Sequence, residues 1–246
     1  MEKQHLSEIT IIRSFACLSV VLLHSIKFII GFDYQGSSIV NNVLFSIAGI
    51  LAFGTPTFIL ISELIIAYAY PKKLPKDFFK KRFKNILIPF VVMAIFYAVV
   101  QNINSFKEIS INILLNILGN YHGWFVLVIF QFYLLHYFFA KYINRFNPKI
   151  VLGLSFIINS IYLSFFNFVQ APSSNKFILY LWDRGFWVPC LGWLFYFVLA
   201  YYCGKNYWKF SRIIKQNKVK VIIFMILSLG LHLYANSLGL FGPGSK

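Results

Sequence analysis

The chain has 246 residues, 59% of them hydrophobic and 20% aromatic, with only 12% charged. A soluble domain usually carries about a quarter charged residues, so at a mean hydropathy of +0.71 this chain lacks the polar surface to clothe a globule in water, and disorder is excluded because it needs low hydrophobicity. The net charge of +16 sits in short loops between apolar runs, so no nucleic-acid partner is expected, and the remaining class is an all-α, polytopic helical membrane protein.

Seven runs are long enough to cross a hydrocarbon core of about 30 Å, which takes roughly 20 helical residues. They lie near residues 9–30, 39–68, 86–101, 124–142, 150–168, 186–203 and 219–235. The second is over-long and is expected to tilt or to bend at Pro56. The third is short and is expected to begin within the basic stretch before it. Residues 109–118 are too few to span, which leaves a re-entrant or interfacial piece, or the early part of a tilted fourth helix.

Charge then sets the sense of insertion. Residues 71–85 hold Lys72, Lys73, Lys76, Lys80, Lys81, Arg82 and Lys84 against one acid, Asp77. Lys141, Arg145 and Lys149 flank the link after span four. Lys205, Lys209, Arg212, Lys215, Lys218 and Lys220 follow span six with no acid among them. Thus 16 of the 23 basic residues occupy alternate loops, while the intervening ones hold Lys107, Lys176 and Arg184 beside Asp33, Glu108 and Asp183. The positive-inside rule predicts a cytoplasmic N-terminus, outer loops at 32–38, 102–110 and 169–183, and a chain end at 242–246 on the outer side.

Cys17, Cys190 and Cys203 all lie in apolar runs without disulfide or metal-ligand spacing, so neither a disulfide framework nor a metal site is expected. Span one is too long for a cleaved signal peptide and contains Arg13 and His24. No internal repeat supports the inverted-repeat plan of many transporters. One membrane-embedded domain over residues 1–246 is expected.

Ionisable residues inside spans are costly unless they face protein or water. The clearest are Arg13, His24, Glu63, His136 and His232. Arg13 and His24 are eleven residues apart on one helix; eleven steps of 100° make three turns plus about 20°, so both project from one face, roughly 16 Å apart along the axis. Arg13 falls near the cytoplasmic boundary and His24 beyond the midplane. Singly, each has a structural reading, as an interfacial anchor and as a packing residue. Together they fit a lining helix on which an imidazole, titrating near neutrality, takes a proton from a hydroxyl. Glu63 can pair with Arg13, which keeps both charges neutralised in the bilayer; His136 and His232 read as packing.

The stretch Ile11 to Ser25, with its Arg-x10-His spacing, resembles the first helix of the membrane acyltransferase family 3. The remaining matches come in the family's order. Phe53-Gly-Thr-Pro56 running to Ser62 is similar to the second-helix pattern, and Phe79-Lys-Lys-Arg82 running to Pro89 to the basic start of helix three. His122-Gly-Trp124-Phe125 followed by Gln131 resembles the helix-four segment, and Gly192-Trp193 running to Gly204 a later helix. The look is closest to the branch found in staphylococcal poly-N-acetylglucosamine operons. Three departures stand out: Glu63 where the family commonly has Gly, Asn85 where a second Arg is usual, and three or four fewer spans, so that the resemblance makes this chain a C-terminally truncated one.

The resemblance implies a multi-pass bacterial plasma-membrane enzyme that carries an acyl group, acetyl or succinyl in class, to a hydroxyl of a surface polysaccharide or related glycan. Acyl-CoA is then the donor co-substrate, with no bound cofactor. Its phosphates fall to Arg13, Arg82, Lys81 and Lys84 at the inner face, because guanidinium is a phosphate fork. His24 is the implied general base and His122 the second candidate; Glu63 and Trp124 support the site. The implied partners are the lipid bilayer, the lipid-linked or extracellular glycan, and other glycan-synthesis membrane proteins. No Gly-x-Ser-x-Gly elbow signals a covalent nucleophile. Two rival readings stand beside this one: a polysaccharide exporter, and a non-catalytic partner subunit.

Overall fold

The computed structural model describes residues 6–31, 38–101, 105–143 and 145–237. The helices in chain order are α1 (Ser7–Gly31), α2 (Ser38–Leu51), α3 (Gly54–Ala69), α4 (Phe78–Arg82), α5 (Ile88–Gln101), α6 (Phe106–Leu115), α7 (Phe125–Ile143), α8 (Pro148–Phe168), α9 (Lys176–Trp187), α10 (Leu194–Lys205), α11 (Tyr207–Gln216) and α12 (Lys218–Ser237). Short π turns follow α4 at Phe83–Leu87 and α6 at Asn116–Asn120, and 3₁₀ turns precede α7 and α10 at His122–Trp124 and Cys190–Trp193. No strand occurs among the described residues.

Seven helical stretches are long and apolar enough to cross a membrane: Ser7–Ile30, Val40–Ala69, Phe78–Gln101, His122–Ile143, Pro148–Phe168, Phe177–Lys205 and Lys218–Ala235. The chain is therefore an all-α polytopic membrane protein, as its composition requires. The loop at 32–37, the first part of the loop at 102–110 and the end at 242–246 lie outside the described residues.

The chain divides into two compact units, Met1–Ile61 with Asn206–Lys246, and Ser62–Lys205. In the first, α1 packs along α2. Span two is broken at Ala52 and Phe53. The sequence places this bend at Pro56; the break falls ahead of it because a proline ring collides with the carbonyl four residues back, that of Ala52, and cannot donate to it. The chain restarts on the Thr57 amide and hydroxyl, which both bond to the Phe53 carbonyl at 3.1 and 2.7 Å.

The segment 206–218, expected as a loop, instead holds α11. Tyr207 is buried on one side, while Lys209, Arg212 and Lys215 are exposed on the other. A basic amphipathic helix of this kind is suited to a membrane surface. Helix α12 packs on α2 and leaves Phe224, Met225, Ile226 and Leu227 more than 60% exposed, an apolar surface unsuited to water.

In the second unit the third span starts at Phe78, eight residues earlier than the apolar run alone indicates. Its first turns carry Lys80, Lys81, Arg82 and Lys84 on a backbone that stays helical; side chains this long can extend to an aqueous boundary from within a span. Helix α6 starts from a Ser105 cap, whose hydroxyl accepts from the Glu108 amide at 3.3 Å. It then runs back along α5, where the Asn116 side chain donates to the Ala94 carbonyl at 2.9 Å. Span six, expected at 186–203, begins at Lys176 with an Asn175 cap and is interrupted at Val188 and Pro189. Small residues bring helices close: a Cβ on Gly204 of α10 would run into the Leu64 carbonyl of α3. Ala67, Ala140 and Tyr201 fill the core beside that contact.

Candidate functional site

In the first unit the Arg-x10-His pattern lies on a single unbroken helix, so the spacing argument holds as geometry. Arg13 is exposed and His24 half-buried on α1. Between them, Ala16 and Ser19 are buried, and there α1 receives the start of α3. Gly54 makes this approach feasible: a Cβ would collide with the Ser19 hydroxyl and sit 2.8 Å from the Ala16 carbonyl. The Phe53-Gly-Thr-Pro56 motif thus docks a helix N-terminus, the positive end of a helix dipole, against α1 between Arg13 and His24. His232, read as packing, faces Gly49 of α2 closely enough that a Cβ there would strike its ring.

In the second unit Glu63 and His136 are buried, at 0% and 1% exposure. The sequence offers Arg13 as the partner of Glu63; the structure gives its Oε1 to His136 Nδ1 at 2.7 Å. His136, read as packing, is a hydrogen-bonding hub, with Nε2 lying 2.9 Å from the Tyr70 carbonyl. A carbonyl can only accept, so Nε2 carries the hydrogen. Nδ1 and the carboxyl then share one further proton, and the pair is neutral overall wherever that proton rests. This relieves the cost of an isolated buried charge.

His122 lies at the start of the fourth span, His122–Ile143. It occupies a turn carried inward by α6, with its ring 5.6 Å from that of Tyr97. The neighbouring Tyr121 hydroxyl donates to the Phe90 carbonyl at 2.7 Å. Phe90 lies eleven residues before the end of α5, about 16 Å at 1.5 Å per residue. The turn depends on Gly119, whose φ of 101° is a left-handed conformation open to glycine.

The interruption of span six meets this turn. Trp124 packs against Trp187 and Trp193 at ring separations of 6.1 and 5.9 Å. Gln131 of α7 spans the break, donating to the Val188 carbonyl and accepting from the Cys190 amide, both at 2.8 Å. Trp193 Nε1 closes it by donating to the Trp187 carbonyl at 2.8 Å. Irregular backbone at membrane depth survives only where such groups satisfy it. Sequence reasoning left Gln131 without a role; the signals were a Gln in an apolar span and the Val188-Pro189 pair in another.

Of the cations expected at the inner face, Arg82 is half-buried, its guanidinium 5.1 Å from the Phe78 ring centre and 5.6 Å from that of Tyr133. Lys81 and Lys84 are exposed. Among the described residues no group of His, Cys, Asp and Glu gathers as a metal site would require.

Seven apolar spans, two of them interrupted, define a multi-pass membrane protein. The chain belongs to the acyltransferase domain family (acyltransferase 3), whose pattern it matches over residues 6–244. It is 40% identical over 218 residues to YfiQ of Bacillus subtilis, assigned as a membrane-bound acyltransferase; that match covers 86% of this chain and 59% of YfiQ. It is 30% identical over 223 residues to a Staphylococcus aureus protein assigned to poly-β-1,6-N-acetyl-D-glucosamine export, covering 89% of this chain and 62% of the relative. A Staphylococcus epidermidis protein with the same assignment is 31% identical over 230 residues, 93% of this chain and 63% of its own length. The chain thus spans about three fifths of the length of these relatives. No solved structure matches it.

Proposed function

We propose that this chain is the membrane-embedded domain of an O-acyltransferase that moves an acetyl- or succinyl-class group from cytoplasmic acyl-CoA to a hydroxyl of a surface polysaccharide. Its N-terminus lies in the cytoplasm. The observation that carries this reading is the family match over residues 6–244; the unbroken α1 bearing Arg13 and His24 supports it.

In this mechanism Arg13 and Arg82 bind donor phosphates as planar forks, with Lys81 and Lys84 adding positive charge. His24 takes the proton of the acceptor hydroxyl while its oxygen attacks the thioester carbonyl. The tetrahedral intermediate collapses, the C–S bond breaks, and the leaving thiolate recovers the proton from the imidazolium. The products are the glycan ester and free CoA. General-base help of this kind is worth about 10²–10⁴-fold. The dipole of α3 favours the charge that develops on the carbonyl oxygen. His122 and Trp124, on the inward turn, are assigned to the acceptor side, with His122 the second candidate base.

Purified protein reconstituted with radiolabelled acyl-CoA and a surface glycan tests this directly: label on the glycan is the expected result. The staphylococcal relatives' assignment to export gives a second reading, in which the protein moves glycan across vesicles without transferring label.

A further inference from the structure

Within the second unit, two segments distant in sequence border one recess of about 630 Å³. The connection after α3 contributes Lys72 and Lys73, and the last turns of α7 contribute Lys141. His136 forms part of its lining, with Tyr137 and Tyr142 on the wall, and among the described residues no carboxylate borders it. Topology accounts for lysines on one side of a membrane. It does not require residues 72–73 and 141 to converge. Like charges facing one recess repel, and an anion with several oxygens converts that cost into charge-assisted hydrogen bonds.

The recess is also held in shape. His136 donates to the Tyr70 carbonyl at 2.9 Å, and the Tyr201 hydroxyl donates to the Pro71 carbonyl at 3.0 Å. These are the two residues immediately before Lys72. Glu63 in turn holds His136 at 2.7 Å. Two buried helical side chains therefore fix the backbone from which the paired lysines project. Because the Glu63–His136 pair is neutral overall, it leaves the recess net positive. A site ordered before its ligand arrives loses less on binding.

The geometry points to a polyphosphate-binding site in this recess, with Lys72, Lys73 and Lys141 as phosphate ligands and Glu63 and His136 as positioning residues. It takes a soluble polyphosphate, such as the pyrophosphate group of a nucleotide, or the phosphate of an anionic lipid headgroup. Its service to an acyl-CoA donor rests on the proposed function; its affinity for phosphate does not.

The test uses inorganic pyrophosphate as the probe and the full chain in nanodiscs, so no transfer chemistry enters. In phosphatidylcholine discs, wild-type protein should bind pyrophosphate, and Lys73→Ala with Lys141→Ala should weaken binding by about tenfold or more. In phosphatidylglycerol discs, unchanged binding assigns the site to a soluble ligand, and competition assigns it to lipid. Glu63→Ala should also weaken binding, and Glu63→Gln, which can still donate to Nδ1, should restore it. Equal affinity in wild type and the double lysine variant, or no binding, overturns the proposal. A Glu63→Gln variant no better than Glu63→Ala removes the positioning role. Lysine-dependent pyrophosphate binding without acyl transfer would refute the proposed function alone; transfer without such binding would refute this site alone.

Discussion

Arg184 of α9 donates from Nη1 to the carbonyl of Gly119 at 3.1 Å, so the interrupted sixth span caps the inward turn that carries His122. The same guanidinium bonds Asp183 at 3.0 Å and lies 5.5 Å from the Tyr180 ring centre. Tyr180 adds a second tie, donating its hydroxyl to the Leu115 carbonyl at 2.9 Å. A cation at the end of a helix satisfies carbonyls that have no intrahelical donor.

Arg184→Ala should therefore destabilise the protein by about 1.5–3 kcal/mol, the usual value of a hydrogen bond to a charged group. Arg184→Lys should recover only part of this, because an ammonium cannot reproduce the planar fork. Thermal unfolding in detergent checks both. An unchanged melting temperature in Arg184→Ala would show that Gly119 needs no cap.

Glu63→Ala should be among the most destabilising single substitutions in the second unit. Removing one partner of a buried pair costs about 3–5 kcal/mol, whereas Glu63→Gln keeps a donor for His136 Nδ1 and should cost much less. Comparing denaturation midpoints of the two variants distinguishes this pair from inert packing. Equal losses would mean that volume, not the hydrogen bond, is what the site requires.

The spans were legible because lipid imposes one rule, a long apolar run, on every crossing helix. The broken ones were half legible: Pro56 signalled the bend in span two, and the short run at 109–118 signalled a non-spanning piece. The partner of Glu63 was not legible. Pairing depends on which helices touch, and α3 meets α7 through side chains 73 positions apart. The role of Gln131 was hidden for the same reason, since its partners lie 57 and 59 residues away. Helix α11 was hidden by charge: its lysines read as loop while its Tyr207 and Phe210 side carries the burial.

Orientation rests on the same charges. With 16 of 23 basic residues in alternate loops, reporters fused after residues 78 and 212 should read cytoplasmic, and one after residue 175 outside. The reverse pattern at any two positions would also remove cytoplasmic acyl-CoA as the donor.

Arg13→Ala and Arg82→Ala should each weaken acyl-CoA binding by about 1–3 kcal/mol, the range for a lost charged hydrogen bond. For Arg82, which lies over Phe78 and Tyr133, the loss should be accompanied by a lower melting temperature. Unchanged donor affinity in both variants would leave these residues as topology and packing alone.

Label transfer from acyl-CoA to glycan, compared between wild type and His24→Gln in reconstituted, correctly inserted protein, decides whether His24 is the general base. Glutamine can hydrogen-bond but cannot accept a proton at neutral pH. A general base predicts a fall of about 10²-fold or more, with acyl-CoA affinity retained. Wild-type turnover in His24→Gln would contradict the account and move the base to His122.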